Sequence, residues 1–190
     1  MVVRHIPWIS PEEYLDQEAV SDTRHMYYAG LVTAMAGGSV AHGTIAMNLG
    51  VALHGATRGR RCRVLGSDVL FQTGSGDMYA YPDVMVLCGP VETVPGRKHV
   101  VTNPVFVAEV CSPSTENFDR GAKMREYRAT PSLLQFVLVS QDEPWVEIHT
   151  RDAAGNWVVR DVTGLEAECE FTGIECKVPM AAVYEGAMEI

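Results

Sequence analysis

Two carboxylates stand in otherwise apolar segments of the chain, and their positions suggest chemistry. Glu109 lies inside residues 104–111, which have the composition of a buried strand, and Asp83 opens a second such segment, residues 83–88. If these segments are neighbouring strands, the acids meet in the core, where like charges ~4 Å apart repel by about 4 kcal/mol at an effective dielectric of 20. Such a pair either shares a proton for acid/base work or holds a cation, and two oxygen ligands with waters are an ordinary way to hold Mg²⁺.

A simpler interpretation of Glu109 stays open at this point, because strand neighbourhood is inferred. The acid could lie on an edge strand or near a strand end and pair with an arginine. A cation is also available on the helix predicted to follow, where Asp119, Lys123 and Tyr127 are spaced four residues apart on one face. Lys123 either brings positive charge to a water or phosphate, or forms a helical ion pair with Asp119.

Three further residues are accessory candidates, each with an ordinary structural alternative. His42 follows a predicted helix start, where a histidine is more often a surface or capping residue than a catalytic one. Asp68 is either an extra metal ligand or a turn-end aspartate that bonds to its own backbone. Ser112 either binds a phosphate or caps the start of a helix, and helix capping is the more common role of such a serine.

Basic residues are the natural partners of a phosphate backbone, but this chain has a net charge of −9. That balance argues against indiscriminate nucleic-acid binding and leaves room for a local basic groove. The first candidate for such a groove is a cluster of four arginines, Arg58, Arg60, Arg61 and Arg63. Residues 97–99 form a second basic segment. The alternative is that these charges serve solubility and the C-terminus of the preceding helix.

The elements that must position these residues are a majority of strands with a few helices. Residues 10–14 begin a short helix, residues 37–39 lead into a longer one, and residues 27–35 resemble a strand interrupted by Gly30. A loop is expected over residues 89–103. The remaining strands are predicted over residues 64–73, 79–87, 134–140, 146–150 and 157–162, with a hairpin turn at 74–77 and a short terminal helix after Pro179. This pattern predicts an α/β or α+β layer architecture.

Length and composition favour one domain over residues 1–190. The five cysteines are odd in number and lack metal-site spacing, so we expect reduced thiols in a cytoplasmic protein. No secretory leader and no apolar run of about 20 residues is apparent, so no membrane partner is expected. No glycine pattern typical of nucleotide binding is present, so no nucleotide cofactor is expected.

Taken in order, Pro82-Asp83, Glu109-Val110-Cys111 and the later Lys123 resemble the pattern of the PD-(D/E)xK nuclease superfamily. The chain is more specifically similar to the Uma-type family of restriction-endonuclease-like proteins. The matching segments span almost the whole chain and are residues 10–14, 35–39 with His42, 66–68, 81–83, 108–115 and 119–123 with Tyr127. The resemblance implies a restriction-endonuclease-like fold, with a central mixed β-sheet flanked by helices and additional antiparallel hairpins.

The resemblance also implies roles for individual residues. Asp83 and Glu109 would bind Mg²⁺ or Mn²⁺, with the backbone carbonyl of Val110 or Cys111 as a third ligand. Cys111 occupies the usual lysine position of the motif and cannot act as a cation, so Lys123 would replace that lysine from the following helix. His42 would lie near the site. The expected activity is endonucleolytic hydrolysis of nucleic acid, with DNA as the first choice, by a homodimer.

One departure from the family pattern supports a different function. Relatives commonly carry acids around the first glycine-bearing strand, whereas residues 26–31 of this chain contain none. The alternative is therefore a catalytically inactive nuclease-fold protein that binds nucleic acid or another protein. The negative net charge and the missing acids favour this alternative, whereas the complete set of Asp83, Glu109 and Lys123 favours the nuclease.

Overall fold

The computed structural model describes residues 8–35, 37–111 and 119–188. Within these residues the strands form two six-stranded sheets and one two-stranded sheet. In chain order the strands are β1 His25–Tyr28, β2 Leu31–Ala34, β3 Cys62–Gly66, β4 Leu70–Gln72, β5 Met78–Ala80, β6 Val84–Cys88, β7 Thr93–Val94, β8 Arg97–Val101, β9 Phe106–Cys111, β10 Gln135–Ser140, β11 Trp145–Arg151, β12 Trp157–Thr163, β13 Glu168–Phe171 and β14 Cys176–Pro179.

The helices are α1 Pro11–Glu18, α2 Val40–Ala56, α3 Met124–Arg128 and α4 Met180–Val183. A π-helical turn, Asp119–Lys123, leads directly into α3, and Thr172–Ile174 form a short 3₁₀ turn. Ser10 caps α1 as predicted, since its hydroxyl accepts the Glu13 N–H and the Glu13 carboxylate returns to the Ser10 N–H. None of the helices in the described ranges combines the length and apolar character needed to cross a bilayer.

The central sheet has the order β12-β11-β10-β9-β6-β3 and forms the middle of the molecule. β9 and β10 are parallel and almost completely buried, which explains their continuous apolar sequences. α2 packs on one face through Ile45, Leu49 and Leu53, the stripe that the helical spacing predicts. The opposite face packs against Tyr127 of α3 and against residues of the second sheet.

The two strand-like runs around the predicted turn at residues 74–77 are each divided between sheets. β4 and β5 form the predicted hairpin in the second sheet, while β3 and β6 pair antiparallel in the central sheet. The chain therefore turns a corner at residues 67–69 and again at 81–83. Both corners contain an acid singled out above, Asp68 and Asp83.

Three local predictions were wrong. The interrupted strand at residues 27–35 is the hairpin β1–β2, which turns at Ala29 and Gly30 with φ of 46° and 90°. The predicted loop at residues 89–103 contains β7 and β8, and the pair β13–β14 was missed. Each of these strands pairs with a partner through its backbone, which short and mixed side-chain patterns do not reveal. The start of the helix predicted after Ser112 lies outside the described residues.

Candidate functional site

Strand register brings Asp83 and Glu109 together. β6 runs antiparallel to β9 with Val84 opposite Ala108, so Asp83, just before Val84, comes beside Glu109, just after Ala108. Oδ2 of Asp83 accepts a hydrogen bond from the Val110 N–H at 2.8 Å. The Asp83 carboxylate thus extends the ladder by one hydrogen bond beyond Val84, the first residue of β6.

The charge of Glu109 is compensated by the helix that follows β9. The Lys123 ammonium lies 2.8 Å from Oε1 of Glu109, and the Tyr127 hydroxyl donates to the same oxygen at 2.7 Å. Glu109 is 4% exposed and Lys123 is 7% exposed. β9 is a central strand, so Glu109 is not the acid of an edge strand, and the cation described beside it is a lysine. Breaking a buried pair of this kind is strongly destabilising, because it leaves an uncompensated charge in the core.

The backbone of residues 119–128 explains how both groups reach Glu109. Lys123 ends the π-helical turn and Tyr127 lies four residues later in α3, so the two side chains project from one face. Single π-helical turns occur often at functional sites. Sequence reasoning placed Tyr127 on this face but missed it as a Glu109 partner, although its spacing from Lys123 was the available signal.

His42 joins the site from the first turn of α2. The Ser39 hydroxyl caps the helix by accepting the His42 N–H at 3.0 Å, and Nε2 of His42 lies 3.0 Å from Oδ1 of Asp83. The hydrogen bond with Asp83 raises the pKa of His42 despite partial burial; the charge of Glu109 adds to this rise and that of Lys123 opposes it. His42 therefore shares an electrostatic environment with all three proposed catalytic residues.

Gly38 makes room for the His42 ring. A Cβ atom on Gly38 would come within 2.7 Å of the ring, closer than real Cβ contacts allow, whereas one on Gly37 would meet nothing within 4 Å. The adjacent glycines that precede α2 therefore differ in function. Gly38 permits the approach of His42 to Asp83, and Gly37 offers a matched position without that contact.

An open cleft of about 890 Å³ begins at His42 and Asp83 and runs along α2. Its walls are the exposed face of α2, the end of β3, the corner that follows β3 and residues 22–24, which precede β1. Asp68 lines this cleft, and its exposed carboxylate forms an ion pair with Arg24. Small residues of α2, including Gly43 and Gly50, widen the cleft.

The arginine cluster lies elsewhere. Arg58, Arg60 and Arg61 precede β3 and Arg63 lies near its start, whereas the opposite end of β3 pairs with Val84 beside Asp83. Arg60 donates to the backbone oxygens of Ile174 and Glu175 at 2.7 and 3.1 Å. The structure thus does not bring these arginines to Asp83, and part of their charge is used to hold the 3₁₀ turn.

Ser112 lies outside the described residues. Among the residues that are described, no group of three or more histidine, cysteine, aspartate or glutamate side chains is arranged to hold a metal ion. A metal bound at Asp83 and Glu109 would therefore draw its other ligands from the backbone, water or substrate. Mg²⁺ commonly binds in this way, with one or two carboxylates and several waters.

The expectation of five reduced thiols was wrong for two of them. Cys62 and Cys88 form a disulfide, while Cys111, Cys169 and Cys176 are free and buried. The bonded cysteines face each other across β3 and β6, with Cα atoms 4.0 Å apart. Their separation of 26 residues in sequence matches no cysteine motif. Only the antiparallel register brings the sulfurs together.

Comparison with known proteins identifies the family. The model of the Uma2 family, described as "Putative restriction endonuclease", matches residues 11–179. The chain belongs to the Uma2 family. This confirms the resemblance seen in the motifs around Asp83, Glu109 and Lys123.

Relatives and a solved structure extend this assignment. The uncharacterised Synechocystis proteins slr1290 and sll1609 are 33% and 30% identical to the chain; the alignments cover 95% and 90% of it, and 93% and 97% of those proteins. A crystal structure described as a putative nuclease belonging to DUF820, from Anabaena variabilis, superposes with a TM-score of 0.76 at 12% identity, covering 93% of this chain and 97% of that one. The Uma2 chain therefore has the restriction-endonuclease-like fold predicted for it.

Proposed function

We propose that this Uma2 protein is a metal-dependent endonuclease that hydrolyses phosphodiester bonds of nucleic acid in the α2 cleft. One observation carries the proposal: Asp83 and Glu109 come together from neighbouring antiparallel strands, with Lys123 against Glu109 and with Asp83 lining an open cleft of about 890 Å³. Family membership and the nuclease described for the structural neighbour support the same class of activity.

The donor set suits a hard divalent cation. Carboxylate oxygens of Asp83 and Glu109 match the preference of Mg²⁺ and Mn²⁺ for oxygen ligands. Between the two carbonyls considered as a third ligand, backbone direction favours Val110. In an extended strand the N–H and C=O of a residue point to the same side, and the Val110 N–H points to Asp83. The Cys111 carbonyl instead accepts the Gln141 N–H at 3.2 Å.

The side chains of the protein would orient the ligands and stabilise charge. When bound, the ion would supply an activated water and neutralise charge on the phosphate. Tyr127 and Lys123 hold the Glu109 carboxylate in one orientation through Oε1, and Lys123 adds positive charge beside the reacting groups. His42 and the Val110 N–H hold the two oxygens of Asp83.

The acids of the cleft would repel phosphate groups, so contacts with the nucleic-acid backbone would come largely from outside the cleft. The cleft contains Asp22, Asp68 and Asp83, and its Arg24 is paired with Asp68. The arginine cluster before β3 is therefore proposed as a more distant backbone contact. A homodimer would supply a second cleft for the other strand of a duplex, and DNA is the first substrate to test.

A second function is favoured by a specific observation. Lys123 already compensates Glu109 without any ion, so this pair can serve stability alone. Residues 26–31, which form most of β1 and its turn, also lack the acids common in the family. In that case the chain is an inactive nuclease-fold module that binds nucleic acid or protein through the same cleft.

The experiment combines cleavage with metal binding. Purified protein is incubated with single- and double-stranded DNA and RNA in Mg²⁺ or Mn²⁺, and Mn²⁺ binding is measured by calorimetry. Asp83→Asn and Glu109→Gln keep side-chain shape and remove charge. Asp22→Asn is the matched control, because Asp22 is an exposed acid of the same cleft.

The nuclease proposal expects metal-dependent cleavage that is lost in Asp83→Asn and Glu109→Gln and kept in Asp22→Asn. Mn²⁺ binding should weaken in the same two variants. Cleavage that survives both substitutions would place the active site elsewhere. Absence of cleavage on every substrate, together with nucleic-acid binding that Asp83→Asn leaves intact, would support the binding module.

A further inference from the structure

Strand β11 presents a second polar cluster to the helix that carries Lys123. Glu147, His149 and Arg151 alternate along β11, so they share one face of the central sheet, while Val146 and Ile148 enter the core on the other. We call Glu147, His149 and Arg151 the β11 clamp.

The clamp and the candidate site lie in one row of the sheet. Leu138 of β10 is opposite both Glu109 on β9 and Glu147 on β11. Glu109 and Glu147 are therefore two strands apart at the same level, which corresponds to about 10 Å. Residues 119–128 bridge this row, because their cations reach both acids.

Each end of this helical segment is bound by the clamp. Nη1 of Arg120 lies 2.7 Å from Oε2 of Glu147, and Oε1 of Glu147 lies 2.5 Å from Nε2 of His149. Nδ1 of His149 lies 2.5 Å from Nη2 of Arg128. Because the Arg128 guanidinium can only donate, Nδ1 is the acceptor and Nε2–H donates to Glu147.

Arg151 completes the clamp at the C-terminus of α3. Its Nη2 donates to the backbone oxygens of Arg128 and Thr130 at 2.7 and 2.8 Å. Carbonyls at a helix end lack intrahelical partners, and a cation placed there also interacts favourably with the helix dipole. The N-terminal part of the segment is thus held through Arg120 and the C-terminal part through Arg128 and the backbone.

Lys123 and Tyr127 lie between these two anchors and contact Glu109. We propose that the β11 clamp is a positioning element that holds residues 119–128 so that Lys123 and Tyr127 stay on Glu109. The catalytic consequence rests on the proposed nuclease function. The positioning itself does not, so it can be tested without any cleavage assay.

Lysine acylation followed by mass spectrometry is a direct test. The chain contains three lysines, and Lys98 and Lys177 are exposed while Lys123 is buried. Lys123 is acylated through local opening of the helical segment. In Glu147→Gln we expect the Lys123 rate to rise about tenfold, because a charge-assisted anchor has been lost. The rates at Lys98 and Lys177 should stay unchanged.

Two controls separate positioning from general destabilisation. Asp161→Asn removes an exposed acid at the β12 position opposite Glu147 and should change nothing. Ile148→Val lowers the melting temperature from the opposite face of the same strand, yet should leave Lys123 protected well below that temperature. Arg120→Lys keeps the cation and should retain most of the protection that Arg120→Gln loses.

The proposal is overturned if Lys123 reactivity in Glu147→Gln equals that of the unmodified protein, or if Ile148→Val raises it equally. Should Glu147→Gln fail to fold, Arg120→Gln provides the same readout from a side chain that is 32% exposed. An active enzyme adds a second readout, in which Glu147→Gln lowers kcat and leaves KM unchanged. Loss of Lys123 protection without any nuclease activity would support the clamp while contradicting the proposed function.

Discussion

Glu109 and Glu147 are two acids on the same face of the same sheet, held by the same helical segment, and they differ in what lies beside them. Glu109 pairs with Lys123 next to Asp83 and His42, and these last two residues line an open cleft. Glu147 lies between Arg120 and His149. Aromatic rings surround these groups: His149 packs against Phe136, Arg120 lies over Trp145 and Arg128 lies over Trp157.

The difference shows that a partly or fully buried acid is not by itself a functional signal. Both carboxylates have a cationic partner from residues 119–128 at 2.7–2.8 Å, so pairing alone does not distinguish them. The presence of a second acid on a neighbouring strand, Asp83, which lines an open cleft, does distinguish them. On this basis we propose a chemical role for Glu109 and a positioning role for Glu147.

The largest expected contrast is in cleavage. Glu109→Gln should lower metal-dependent cleavage by about a thousandfold or more, because metal-assisted charge stabilisation contributes several kcal/mol. Glu147→Gln should lower it by only about tenfold, through displacement of Lys123. Single-turnover rates on the best substrate measure both. Equal losses in the two variants would erase the distinction between chemistry and positioning.

Stability should show the next contrast. Lys123→Met should lower the free energy of unfolding by about 3 kcal/mol in metal-free buffer, because it leaves Glu109 charged and buried. Arg120→Met should cost only about 1 kcal/mol, since its pair is more exposed and Glu147 keeps His149. Urea unfolding provides the comparison. A smaller loss for Lys123→Met than for Arg120→Met would contradict the burial argument.

The glycines before α2 give a more local test of the Glu109 region. Gly38→Ala should displace the His42 ring from Asp83 and lower cleavage about tenfold, the effect of one lost charge-assisted hydrogen bond. Gly37→Ala should stay close to the unmodified rate, because its Cβ would meet nothing. The distance of His42 from Asp83 can be followed by the histidine NMR signals. Identical behaviour of the two variants would remove Gly38 from the site.

The smallest effects are in proton binding, where the two regions should respond with opposite sign. Hydrogen bonding to Asp83 raises the pKa of His42 above its ordinary 6.5, while burial lowers the pKa of His149 despite its bond to Glu147. The stability from His42 is fully present below its unfolded pKa and is lost as pH rises through the folded pKa. That of His149 is present above the unfolded pKa and is lost as pH falls towards the folded one.

NMR titration of the metal-free protein can compare the two groups directly, with His42→Asn and His149→Asn used to assign the signals. We expect His42 to titrate at the higher pH. His149 should change protonation only in more acidic buffer, where its charge would face Arg128. The reverse order would contradict the opposite pKa shifts expected for His42 and His149.

Much of the site could be predicted from local sequence. Glu109 and Asp83 stand out because a carboxylate in an apolar strand needs compensation, and the spacing of Lys123 and Tyr127 places both on one helical face. The α2 stripe follows from helical periodicity in the same way. The clamp was missed, because Glu147, His149 and Arg151 read as the ordinary polar side of an alternating strand.

The sequence by itself determined the family, the fold class and the set of acids and cations from which a site could be built, because these depend on residue types, order and periodicity. Tertiary structure alone decided which of them meet. The β6–β9 register puts Asp83 beside Glu109, the β3–β6 register joins Cys62 to Cys88, and the arginines lie at the end of β3 away from Asp83. A shift of register by one residue would move every side chain of a strand to the opposite face of the sheet. The correct register is therefore fixed only when the whole sheet packs, which is a long-range property of the chain.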